Sequence, residues 1–132
     1  MKPIQSTAEH KRREDAQRRA VHQRDYHNGK PSCRFEIRTK AGWTVCASTS
    51  AHDIAHILPR RECAKVWDAP EVALLACRRC HNEYDGHGGR TVQVRAPYDR
   101  ARAAWLCVLE NSKVLPSARW NPDLNPDYGG AA

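Results

Sequence analysis

Two short runs of the chain carry residue types that do chemistry. The first is Asp53-Ile54-Ala55-His56-Ile57-Leu58-Pro59-Arg60, in which a histidine sits inside an apolar stretch. The second is the apolar run Val72 to Ala76, which leads into Cys77-Arg78-Arg79-Cys80-His81. An imidazole titrates near neutral pH, so His56 is the kind of group that takes a proton from water. Cys77-x-x-Cys80 has the bite of a tetrahedral zinc site, because a tight turn aims both sulfurs at one ion. Such a site needs two further soft ligands. Cys33 and Cys46 are one pair of candidates, and Cys63 is a rival.

The elements that must position these groups follow from local pattern. Ser6 to Tyr26 predicts a helix, with Ser6 and Glu9 as a capping box and Asn28-Gly29 as the stop. Its apolar residues are few (Ala8, Ala16, Ala20, Val21), so no strong core face is expected. Lys11, Arg12, Arg13, Arg18, Arg19 and Arg24 make it basic. It reads as a solvated helix, or as an arm that orders along phosphates. Pro31 opens the globular part. Phe35 to Thr39 alternates like a half-buried strand, Ala41-Gly42 turns, and Trp43 to Val45 returns. That hairpin would hold Cys33 and Cys46 at its outer ends.

A third strand is expected over Asp53 to Leu58, stopped by Pro59, which has no ladder N–H. Arg60 to Trp67 predicts a short helix and Asp68-Ala69-Pro70 a turn. Val72 to Ala76 reads as a buried strand, followed by a short helix from His81 that ends by Gly86. Gly86 to Gly89 predicts a flexible loop, and Thr91 to Arg95 a last strand. From Pro97 to Ser112 a helix carries Ala101, Ala104, Trp105, Val108 and Leu109 as a core stripe, with Cys107 as a small buried hydrophobe. In the turn-rich tail, Trp120, Leu124 and Tyr128 are the residues expected to dock. The organisation is a basic helical extension over 1–30, a core over 31–96, and a helix with irregular tail over 97–132.

At 132 residues there is room for one small domain, and a single Phe with 40% hydrophobic residues limits its core. A metal is one way to staple such a domain. The net charge of +7 and pI near 9.3 favour a polyanionic partner, nucleic acid before an anionic membrane. No secretory signal and no membrane-length apolar run is apparent, which points to the cytoplasm, where paired cysteines more often mean metal than disulfide.

His56-Ile57-Leu58-Pro59-Arg60 together with Leu75-x-Cys77-x-x-Cys80-His81 resembles the HNH endonucleases. The resemblance implies an α+β fold: a small ββα-metal (His-Me finger) domain stapled by a four-cysteine zinc site, with helices flanking it. It favours Cys33 and Cys46 as the second pair, because related members carry a pair on that side. It gives His56 the role of general base and His81 that of ligand to a catalytic divalent ion such as magnesium or manganese. It implies DNA as partner and products with 5′-phosphate and 3′-hydroxyl ends, nicks more readily than double-strand breaks. Arg60, Arg61, Arg78 and Arg79 would grip phosphates. By analogy alone, such a free-standing domain suits a phage or mobile element working with packaging or recombination machinery.

The chain departs from that pattern twice. Ala55 stands where a metal-binding Asp or His is common. Asp53 could replace it from the same strand face, Asp85 from four residues beyond His81, and His52 is less favoured by alternation. The middle Asn, which braces the loop carrying the base, is also missing, with Glu71 or Asp68 as substitutes. A second reading therefore stands beside the first: a zinc-stapled DNA-binding accessory module that has lost the chemistry. Substrate form, sequence preference and oligomeric state are not written in these residues.

Overall fold

The computed structural model describes residues 7–86, 92–111 and 115–125. It is a mixed α+β structure of three helices and small antiparallel sheets. Its centre is a hairpin of β5 (Ala51–His56) and β6 (Ala73–Cys77), with α2 (Arg78–Tyr84) running directly out of β6 and packing on both strands. Ala55 faces Leu74 and His56 faces Ala73 in this register, and a bulge lies between Ala51 and Asp53. All five residues of β6 are buried, as its unbroken apolar run requires. A second sheet, in the order β4-β3-β7, is built from β3 (Glu36–Thr39), β4 (Gly42–Val45) and β7 (Val94–Arg95). Gly42 turns this hairpin at a φ of 108°, a conformation that favours glycine.

Phe35, Leu58, Val72, Leu74, Leu75 and Val108 fill the core. The rings of Phe35 and Tyr84 lie 4.5 Å apart and join the second sheet to α2. Helix α3 (Tyr98–Asn111) turns Ala101, Ala104, Cys107 and Val108 inward and packs on the turn Pro70–Val72. No helix among the described residues is long and apolar enough to cross a membrane.

Helix α1 (Thr7–Asp25) corrects the expectation that it lacks a docking face. Gln17, Val21 and Asp25 are buried, spaced four apart on one side of the helix, with Arg13 one turn earlier on the same side. Two of the three buried residues are polar, so hydrophobic periodicity could not reveal the face. Arg13 holds Asp68 with two hydrogen bonds of 2.9 Å. Arg24 donates to the carbonyls of Pro70 and Ala73. The Asp25 carboxylate is fully buried, accepts from the Leu75 N–H at 3.0 Å, and pairs with Arg24 and with Arg100 of α3. One carboxylate thus ties α1, β6 and α3 together. After α1, Asn28 and Gly29 take φ of 54° and 76° in a two-residue turn between β1 (Tyr26–His27) and β2 (Lys30–Pro31).

Other local expectations are revised. Residues 60–67 form successive turns rather than a helix, with Cys63 N bonded to Pro59 O and Val66 N to Cys63 O. The helix expected from His81 begins at Arg78, because the Cys77 sulfur caps it by accepting from Cys80 N. Trp120 docks in the core, whereas Leu124 is 67% exposed. Asp123 fastens the tail instead, through Tyr98 and Arg102. Ser6, the loop residues 87–89, Thr91 and Tyr128 lie outside the described residues.

Burial alone would raise the Asp25 carboxyl, but Arg24, Arg100 and the Leu75 N–H outweigh it and hold its pKa below the ordinary 3.8. A carboxylate with a depressed folded-state pKa contributes stability above its unfolded value and loses it as pH falls through the folded one. Asp25→Asn should destabilise the protein at pH 7 by roughly 2–3 kcal/mol, less than for a fully buried pair because its arginines remain partly exposed. Urea unfolding of the zinc-loaded protein at pH 7 checks this: the variant should show a lower midpoint at an unchanged slope.

Candidate functional site

Cys33, Cys46, Cys77 and Cys80 come together, with all four sulfurs within 4.8 Å of one another. The β3–β4 hairpin sets the first pair: Cys46 N donates to Phe35 O, Ala47 N to Cys33 O, and Cys33 N to Ser48 O. Ala47 adopts a φ of 57° to bring the chain round. The β6–α2 junction sets the second pair. A zinc–sulfur bond of about 2.3 Å gives a tetrahedral edge of about 3.8 Å. The Cys46 and Cys77 sulfurs are 4.0 Å apart, so the cluster could hold a structural metal ion such as zinc. The hydrogen bond from Cys80 pushes the Cys33 thiol down to about 6 despite burial, while donating that bond pushes Cys80 up. Burial and the neighbouring sulfurs raise Cys46. The cluster thus favours the thiolate at Cys33, and a bound ion would displace the remaining thiol protons.

Cys63 stands apart from the cluster. Its thiol donates to the carbonyls of Leu58 and Pro59, and burial pushes it up to about 11. Cys107 faces Glu71 from α3. These two are packed thiols, which removes Cys63 as a rival ligand.

His81 lies on the first turns of α2 between two carboxylates. Its Nδ1 is 3.0 Å from Asp53 Oδ2 and its Nε2 is 3.1 Å from Asp85 Oδ2. The hydrogen bond to Asp85 raises its pKa most, burial opposes this, and Asp53 adds to the rise. Asp53 also accepts from Arg78, at 2.9 Å. The bulge before Asp53 and the i,i+4 spacing of His81 and Asp85 produce this arrangement. Ala55 is fully buried and offers no ligand, and His52 is exposed.

His56 ends β5, and its Nε2 lies 2.9 Å from the carbonyl oxygen of Trp67. A carbonyl only accepts, so this contact places the proton on Nε2 and leaves Nδ1 with its lone pair. Burial pushes the His56 pKa down, against the Trp67 carbonyl, and the charge of Arg60 adds to the lowering. Asp85 and His81 are near enough to act on it electrostatically. In its neutral form His56 thus presents an Nδ1 lone pair, within electrostatic reach of a histidine held by two carboxylates.

Neither substitute for the missing Asn braces His56. Asp68 is held by Arg13, and Glu71 accepts from Cys107. Of the four arginines expected at phosphates, Arg78 is engaged by Asp53 and Arg60 lies over the Trp67 ring at 5.3 Å. Arg61 and Arg79 are exposed. Trp67 was not among the residues singled out from sequence. Only its pairing with His56 across the 60–67 turns marks it, and no local pattern encodes that contact.

Compared with models of known protein families, with curated proteins and with solved structures, the chain finds no significant match in any of the three.

Native mass spectrometry of the purified protein should show one zinc per chain. Cys→Ser at 33, 46, 77 or 80 should abolish zinc and unfold the domain, while Cys63→Ser should retain both zinc and fold, as measured by mass and circular dichroism.

Proposed function

We propose that the chain is a metal-dependent DNA endonuclease of the HNH type, stapled by structural zinc on its four clustered cysteines. The observation that carries this reading is a carbonyl-oriented His56 and a carboxylate-bound His81 on one strand–strand–helix unit. The basic chain, with a net charge of +7, suits a phosphodiester substrate.

His56 acts as general base. Its Nδ1 takes a proton from a water molecule as the water oxygen bonds to phosphorus. The bond from phosphorus to the 3′ oxygen breaks, and that oxygen leaves to take up a proton from solvent. The products carry 5′-phosphate and 3′-hydroxyl ends. The Trp67 carbonyl accepts from Nε2 before and after this transfer and so holds the ring in place. The exposed Arg61 and Arg79 meet the backbone on either side of the site. His81 with either Asp53 or Asp85 would offer one nitrogen and one oxygen to a hard or first-row divalent ion in place of the shared proton. Bound there, such an ion would stabilise the negative charge that develops on the leaving oxygen.

The second reading, a DNA-binding module without activity, is favoured by two features: Ala55 offers no ligand, and Asp53 is already paired with Arg78. Supercoiled plasmid separates the two. With magnesium or manganese, wild type should nick it. His56→Ala should reduce the rate by on the order of a hundredfold or more, and His81→Ala should require far more metal, while both retain affinity in a gel-shift assay. Wild type that shifts DNA but cuts with neither ion would leave the binding module.

A further inference from the structure

The carbonyl oxygen of Trp67 receives two side chains. His56 Nε2 lies 2.9 Å from it on one side, and Gln17 Nε2 of helix α1 donates to it at 2.8 Å on the other. A carbonyl oxygen has two lone pairs and accommodates both. The Gln17 amide also donates to Ala69 O at 3.1 Å, so one side chain grips both ends of the 67–69 turn. Gln17 is only 3% exposed. A buried glutamine amide costs free energy unless its donors are satisfied, and here two backbone carbonyls satisfy it.

We infer that Gln17 is a positioning residue for His56: it fixes the Trp67 carbonyl that selects the imidazole tautomer and aims Nδ1 outward. The inference deepens the nuclease reading, on which its catalytic meaning rests. The rest of the turn is held by other groups. Arg13 binds Asp68 bidentately, and His10 stacks on the Trp67 ring at a centroid distance of 4.6 Å with Arg13 over the same ring. These contacts fix side chains of the turn. Only Gln17 among the described residues shares the acceptor that His56 uses. The N-terminal helix is thereby part of the catalytic arrangement, through a residue far from His56 in sequence.

The test compares Gln17→Met, which keeps the packing volume without the donors, with Arg13→Met, which breaks a docking contact but leaves the carbonyl bond. Nitrogen-15 spectra of the zinc-loaded protein report the His56 tautomer directly, whether or not the protein cuts DNA. Wild type should show protonated Nε2 and unprotonated Nδ1. Gln17→Met should lose that preference and show a kcat for plasmid nicking lower by on the order of tenfold, with KM nearly unchanged. Arg13→Met should keep the wild-type signal. If Gln17→Met does not fold, Gln17→Asn, which draws the amide back by one methylene, should move the signal in the same direction.

An unmoved His56 signal in a folded Gln17 variant overturns the inference, as does an equal change in Arg13→Met. Absence of nicking by wild type appears in a different arm and removes the nuclease reading itself.

Discussion

Convergence of four sulfurs on one point is the constraint on which the rest depends. The apolar core is small, with one phenylalanine and a buried strand of only five residues at its centre. Cys33 and Cys46 belong to the β3–β4 hairpin, and Cys77 and Cys80 to the β6–α2 junction. Arg34 N donates to Leu75 O beside the cluster, so the two segments are also joined along their backbones. A bound ion would fix the angle at which α2 leaves β6 and hence where His81 stands over Asp53. In a domain of this size, the binding energy of such an ion would serve as folding energy.

A polar clamp completes what the cysteines begin. Helix α1 covers the turns between Trp67 and Ala73 through Arg13, Gln17 and Arg24, and Asp25 reaches the backbone of β6. Apolar contact contributes little along this helix beyond Val21. Such an interface is specific because each carbonyl needs a donor at one place. It is also demanding, since losing one partner leaves a buried group unsatisfied. The same clamp meets the carbonyl that orients His56, so the stability of the helix dock and the geometry of the His56 ring share one atom.

What could be read from the sequence was local. The β3–β4 and β5–β6 strands follow from alternation and from the apolar run at Val72 to Ala76, and α3 from the spacing of Ala101, Ala104 and Val108. The Cys-x-x-Cys spacing pointed to one pair and a hairpin to the nearness of Cys33 and Cys46, but it was the resemblance to HNH endonucleases that favoured these two over Cys63 as its partners. The docking of α1 was hidden because its buried face carries Gln17 and Asp25, which a hydrophobic pattern counts as solvent-facing. Over 60–67 the three- and four-residue spacing of Cys63, Val66 and Trp67 is compatible with a helix, but the carbonyls of Pro59 and Cys63 close separate turns instead. Contacts such as Trp67 with His56 join distant segments through a backbone carbonyl, which carries no sequence signature.

The most direct measurement is the chemistry of the cut end. Plasmid nicked by the zinc-loaded protein in manganese, freed of protein and treated with DNA ligase, should be resealed, because attack by water on phosphorus with departure of the 3′ oxygen leaves a 5′-phosphate beside a 3′-hydroxyl. Nicks that ligase cannot close, or no nicks at all in protein that still binds the plasmid, would contradict the account.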